Sequence, residues 1–295
     1  MAPTLHLLLP AICAVLYVLA ALTLKRAAAL GVGVWRSTFV ANWMACLSFV
    51  PWWFWSRGTV HPLADYWQPA VTALTYLGGQ LFIFLAIARG DVSVTTPVMG
   101  LKVVFVALLS HVLHAGAVPM KWWIGALASA GAVGLLHLGE PHERRPHLLQ
   151  AALLAGLSAA SYSLNDVLLQ KWVPAWGSGS YLPPMFLLTA VYSFAFVPFF
   201  HGPLRSLDGK SWRWVGLGAA LMALNNAGIV IAIGLWGGAT AVNIIYSVRG
   251  LVSVGLVWAV GHWFHSAERH LATRALGFRL AGAALMLGAI VLVLI

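Results

Sequence analysis

Apolar residues fall along the chain in ten long runs, separated by short stretches that hold most of the charge. The runs are Leu5 to Leu24, Val34 to Trp55, Tyr66 to Ala88, Val92 to His114, Met120 to Leu138, Leu148 to Gln170, Tyr181 to Phe200, Trp212 to Leu235, Ala239 to Trp263 and Arg274 to Ile295. At a rise of ~1.5 Å per residue, about 20 helical residues cross a hydrocarbon core ~30 Å thick, so each run predicts a spanning α-helix. Tryptophans such as Trp55, Trp67, Trp123, Trp172 and Trp212 sit at the ends of runs, where their amphipathic rings anchor at headgroup level. Several connections are only a few residues long, so successive helices run antiparallel and no soluble domain is available. Only Gly139 to His147, GEPHERRPH, with two prolines and four formal charges, reads as a linker. It divides the chain into residues 1–138 and 148–295, joined by 139–147.

Composition agrees with the pattern. With 61% hydrophobic and 8% charged residues and a mean hydropathy of +0.88, a 295-residue chain has too little polar surface for a water-soluble globule. It reads as an all-α integral membrane protein. The net charge of +10 does not point to nucleic acid, because the basic residues sit singly or in pairs at the ends of apolar runs. Loops after odd-numbered runs carry Lys25, Arg26, Arg89, Arg144, Arg145, Arg205, Lys210, Arg269 and Arg274, against Arg57, Lys121 and Lys171 after even ones. By the positive-inside rule the odd loops are cytoplasmic and both termini face outward. Cys13 and Cys46 lie inside apolar runs and read as packing residues, not as a disulfide or thiolate metal site. The N-terminus lacks a positive leader region and a cleavage pattern, so the first run is expected to be a retained span.

The halves are related. Sliding the chain along itself brings Lys102 onto Arg249, and at nearly the same offset Leu16-Tyr17-Val18-Leu19 onto Ser161-Tyr162-Ser163-Leu164 and Gly125 and Gly131 onto Gly282 and Gly288. This order of matches predicts two five-helix repeats. An odd number of helices per repeat makes the second enter the membrane from the opposite side, so equivalent residues share a depth only near the midplane. Lys102 and Arg249 both fall ~15 Å into their runs at ~1.5 Å per residue, which meets that requirement. The same inversion separates the pairs His111/His114 and His262/His265, which therefore read as interfacial histidines and not as a shared metal site.

A charge at the bilayer centre costs several kcal/mol, so polar residues inside the runs are the candidates for function. They are Gln80, Lys102, Asn165, Asp166, Asn225, Asn226, Asn243 and Arg249, with Tyr17, Tyr76, Tyr162 and Tyr246 nearby or at matched positions. Asn243, Tyr246 and Arg249 recur every third residue and share one broad helix face. Arg249 suits bidentate contact with an anion, and Lys102 adds a mobile charge. The structural alternative pairs Arg249 with Asp166, the one acid inside a run, and leaves Lys102 uncharged.

Ten helices in inverted five-helix units, small-residue fourth and ninth helices and a glycine-spaced last helix (Gly282-x5-Gly288) resemble the drug/metabolite transporter superfamily, specifically its ten-helix EamA-like branch. The resemblance implies a multi-pass bacterial inner-membrane protein, monomeric or homodimeric, with its termini inside, contrary to the loop charges. It also implies secondary active transport of a small solute by alternating access. Distant sugar-phosphate translocators of the superfamily hold phosphate with basic residues on the corresponding helices, while its small multidrug exporters use a first-helix glutamate that Leu5 to Leu24 lacks. Both comparisons favour a cargo bearing a phosphate or carboxylate. Alternatives are a lipid-phosphate flippase or scramblase and an exporter of amino acids or neutral metabolites. Glu268 sits where relatives often carry a Gly-Glu pair, but Ala267 precedes it, and it reads as a helix-entry acid. No Ser/His dyad, HExxH, paired aspartates or Gly-rich phosphate loop is present, so no enzyme, cofactor or metal is expected.

Overall fold

The computed structural model describes residues 8–55, 61–89, 92–137, 148–253 and 273–295. In chain order its helices are α1 (Leu8–Ala29), α2 (Val34–Trp55), α3 (Trp67–Arg89), α4 (Val92–Gly100), α5 (Lys102–Val112), α6 (Met120–His137), α7 (Leu148–Trp176), α8 (Ser178–Tyr192), α9 (Gly209–Trp236), α10 (Ala239–Tyr246) and α11 (Thr273–Leu294), with short 3-10 turns at Leu63–Tyr66, Ser193–Phe199 and Leu204–Ser206. The linker, Arg144, Arg145, His262, His265 and Glu268 lie outside the described residues.

The expectation of ten spanning helices in two inverted five-helix repeats needs correction. Among the described residues, five helical stretches are long and apolar enough to cross a membrane: Leu8–Ala29, Leu63–Ile87, Leu149–Trp176, Ser178–Phe199 and Gly209–Trp236. The fourth run is not one helix. Pro97 lies inside α4, and Leu101 closes a tight turn by donating its N–H to the Val98 carbonyl, after which α5 begins. The ninth run also stops, at Ser247 and Val248, and is helical again from Arg249. There the Ser247 hydroxyl bonds the Ile244 carbonyl, and Val248 N–H reaches back three residues to Ile245, so side-chain and tight-turn bonding replace the α-helical ladder. Pieces of eight to eleven residues are ~12–17 Å long at ~1.5 Å per residue, too short to cross the core alone.

Helix α7 is central. It packs along α3 and also touches α4, α5, α8, α9 and α10, while α1 lies against α9 and α6 against α11. The apolar core between these helices includes Cys13, Phe49, Val106, Leu169, Tyr181, Met185, Phe186 and Ile233, all at most 2% exposed. Cys13 and Cys46 are free and buried. Close approach of α3 to α7 depends on Gly79, where an added Cβ would lie 2.8 Å from the Tyr162 ring. The α9 to α10 reversal runs through Gly237 (φ 69°) and Gly238 (φ 67°), a left-handed pair that glycine adopts without a Cβ clash. Leucines outside the core, such as Leu149, Leu153 and Leu157 on α7 and Leu280 and Leu287 on α11, are at least half exposed and form an apolar outer surface suited to lipid.

Candidate functional site

Both helix breaks are followed by a cation. Lys102 is the first residue of α5, and Arg249 is the first helical residue after the turn that ends α10. The Lys102 break is held by α7, whose Ser163 hydroxyl lies 2.9 Å from the Lys102 carbonyl and 2.7 Å from its own Ala159 carbonyl. Gln170, further along α7, ties the two broken runs together. Its amide donates to the Ala115 carbonyl (2.8 Å) just beyond α5 and accepts the Ala239 N–H (2.6 Å) at the start of α10.

At the centre, Lys102 Nζ lies 2.8 Å from Asp166 Oδ2. Asn243 of α10 donates to the same oxygen at 2.8 Å and to the Ala239 carbonyl at 2.9 Å. Asp166 therefore pairs with Lys102, not with Arg249 as the alternative from sequence had it. The sequence also ended this helix at Gln170, which put Asp166 near an interface. The helix continues through Lys171 and Pro174 to Trp176, so Asp166 sits ~15 Å from that end at ~1.5 Å per residue. Among the described residues this is the only ion pair. Its side chains are 11% and 7% exposed, shielded enough for the pair to count energetically.

Arg249 is bound by rings. Its guanidinium carbon is 4.6 Å from the centroid of Tyr246 and 5.1 Å from that of Tyr17, and those two rings meet edge to face at 6.1 Å. Cation–π contacts of this kind are worth ~2 kcal/mol when desolvated, and with a hydrogen bond to the Tyr246 side chain they hold the planar cation, whose five N–H groups exceed what that one bond uses. Tyr162, one turn before Asp166, places its ring 5.8 Å from Lys102 Nζ and meets Tyr76 of α3 at 5.8 Å. The fold thus gathers Tyr17, Lys102, Tyr162, Asp166, Asn243, Tyr246 and Arg249 from α1, α5, α7 and the two sides of the α10 break.

Asn225 and Asn226 of α9 join at the edge. The Asn225 amide lies 3.0 Å from the Tyr246 hydroxyl and, oriented to satisfy both ends, donates to the Cys13 carbonyl at 2.9 Å. Asn226 donates to the Tyr76 hydroxyl at 2.6 Å. Two candidates point elsewhere. Asn165 donates to the Thr72 carbonyl (3.0 Å) and so ties α7 to α3. Gln80 exchanges two bonds with Asn42 of α2, at 2.9 and 2.8 Å, and its side chain also hydrogen-bonds Tyr76, so it meets the cluster only through that ring's hydroxyl. Asn42 was missed from sequence although it is 2% exposed; an amide within the apolar run Val34 to Trp55 was the available signal. Arg36 was also missed. It is 6% exposed and folds back to the Gly31 and Val32 carbonyls at the end of α1. No group of three His, Cys, Asp or Glu side chains able to hold a metal occurs among the described residues.

Residues 4–138 match the profile of the EamA-like transporter family. That stretch is an EamA-like domain. It supplies Tyr17, Asn42, Tyr76, Gln80 and Lys102, while the rest of the chain supplies Tyr162, Asp166, Asn243, Tyr246 and Arg249. One solved crystal structure superposes on the chain with a TM-score of 0.74, covering 97% of this chain and 97% of its own at 16% identity, which shows likeness of fold. No curated protein matches. The EamA-like family is one of transporters, not enzymes. The chain is a multi-pass membrane protein related to it, all-α among the described residues, with apolar side chains exposed along its outer helices.

Proposed function

We propose that the protein is a secondary transporter whose cargo is a small organic monoanion, a carboxylate recognised by Arg249 between Tyr17 and Tyr246. The observation that carries this reading is the asymmetry of the two central cations. Lys102 is neutralised by Asp166, whereas no carboxylate among the described residues lies at ion-pair distance from Arg249. A guanidinium held by ring faces offers a fork of N–H donors that matches a carboxylate bidentately. One unneutralised charge favours a single negative charge over a phosphate dianion, which would call on both cations. The surrounding tyrosine faces suit a flat or apolar body attached to the carboxylate. Helix breaks next to both cations support alternating access around this point, because discontinuous helices build midplane sites in other secondary transporters.

Uptake by proteoliposomes of the full chain tests the proposal, using radiolabelled aromatic and aliphatic carboxylates against phosphate esters of similar size. Carboxylate uptake is expected to fall at least tenfold in Arg249→Gln and to be partly retained in Arg249→Lys. Uptake of phosphate esters alone, or a wild-type rate in Arg249→Gln, would sink it.

A further inference from the structure

We infer that the Lys102–Asp166 pair is a proton-binding site that couples proton entry to binding of the anion at Arg249. The inference rests on the proposed anion site and supplies its driving force. Asp166 is 5% exposed, and both of its polar contacts, Lys102 Nζ and Asn243 Nδ2, fall on Oδ2. The other groups facing it can be named element by element. Tyr162 lies one turn earlier on α7 with its ring 5.8 Å from Lys102 Nζ, Tyr76 comes from α3, and Arg249 stands beyond the α10 break, the last two within electrostatic reach of Asp166. Helix α4 carries no ionisable side chain, those of α9 are Lys210 and Arg213 at its start, and α8 offers only Tyr181, bonded to Thr72, and Tyr192.

The charges in the cavity follow from this. With Lys102 and Arg249 cationic and Asp166 ionised, the empty site carries one net positive charge. A carboxylate arriving at Arg249 brings a second anion near Asp166 and competes with it for Lys102. Like-charge repulsion favours protonation of Asp166, and a protonated Asp166 frees the Lys102 ammonium to face the cargo. The proton comes from a hydronium ion on the side from which the cargo enters: its O–H bond breaks as the O–H of the Asp166 carboxyl group forms, a neutral water is left behind, and no other covalent bond changes. With one proton and one monoanion bound, the site again carries one net positive charge, the same as when empty. Reorientation through a low-dielectric interior therefore meets the same charge in both directions. Binding linkage is reciprocal, so the anion must raise proton affinity by the factor by which the proton raises anion affinity.

Two arms test this on the full chain in phosphatidylcholine vesicles, with benzoate as the probe. In the first, infrared difference spectra are taken across pH without cargo. Of the seven acidic side chains in the sequence, Asp166 is expected to supply one component of the carboxylic-acid carbonyl band that grows as pH falls. That component is present in the wild type and missing in Asp166→Asn and in the double variant Lys102→Gln/Asp166→Asn, which removes both charges of the pair and avoids an unpaired buried lysine. Identical spectra in wild type and variants would overturn the proton site, whether or not benzoate binds. In the second arm, apparent benzoate affinity is expected to fall about tenfold per pH unit on the alkaline side, the signature of one proton per anion. Measured over protein-free vesicles, which take up neutral benzoic acid by diffusion, an inward proton gradient should drive additional benzoate accumulation, and both variants should lose the pH dependence of this protein-dependent part whatever their absolute rates. Benzoate movement that ignores pH in the wild type would leave the anion site standing and refute the coupling. A titrating Asp166 with no movement of any carboxylate would do the reverse.

Discussion

Replacing Lys102 with methionine removes the ammonium 2.8 Å from Asp166 while keeping a side chain of similar length. Asp166 then keeps one hydrogen bond, from Asn243, and faces an environment that leaves it 5% exposed. Breaking a buried pair by removing one partner costs ~3–5 kcal/mol, because the remaining charge is left without compensation. Partial exposure of the lysine, 11%, and the surviving Asn243 bond put the expected loss at the lower end, ~3 kcal/mol. Asp166→Asn should cost a similar amount by stranding Lys102. The double variant Lys102→Met/Asp166→Asn removes both charges of the pair and so strands neither, and should recover most of the loss, landing within ~1 kcal/mol of the wild type. Equilibrium unfolding in mixed micelles, followed by tryptophan fluorescence, provides the four corners of the cycle. Additive losses across the cycle, with no recovery in the double variant, would refute the claim that these two residues neutralise one another.

Two further outcomes are expected. Gly79→Ala places a methyl group 2.8 Å from the Tyr162 ring, so α3 and α7 must separate or the ring must turn. The expected cost is ~1–3 kcal/mol of stability with weakened carboxylate binding, read by the same unfolding assay and by isothermal titration, and wild-type values for both would contradict the packing described. At the aqueous start of α9, the Ser211 hydroxyl, and after it the Ser211 N–H at 2.9 Å, bond to Asp208 and hold its carboxyl below the usual aspartate range. A folded-state value below the unfolded one means the cap is intact above the unfolded value and is lost as pH falls through the lowered folded value. Amide exchange in the first turn of α9 should therefore speed up in acid, and Asp208→Asn, which caps without ionising, should remove that pH dependence.

Much of this site was legible in the chain. Lys102, Asp166, Asn243, Tyr246 and Arg249 stood out because lipid offers a polar side chain no partner, and the fold brings all five together. Partner choice was not legible. The pairing of Asp166 with Lys102 depends on α7 continuing beyond Gln170 and on α5 starting at Lys102, and neither end is marked by a change in hydropathy. Gln80 and Asn165 carried the same signal as the others yet bond to Asn42 and Thr72, because an amide between two helices satisfies packing as readily as it lines a cavity.

Local chemistry acts along the chain, so the sequence by itself determined the class of protein, the length and apolar character of most helices, and which side chains would be costly to bury. The breaks after Gly100 and Tyr246 came from outside their own runs or from side-chain competition within them: the Ser163 hydroxyl on the Lys102 carbonyl, and the Ser247 hydroxyl on that of Ile244. An apolar run reads the same whether continuous or broken, since hydropathy records burial and not the hydrogen-bond ladder. Tertiary structure alone decided that the two cations would differ, one held by a carboxylate and the other by the faces of two tyrosines. The physical reason is that the cluster holds one acid for two cations, and only the arrangement of α5, α7 and α10 in space sets which cation it reaches.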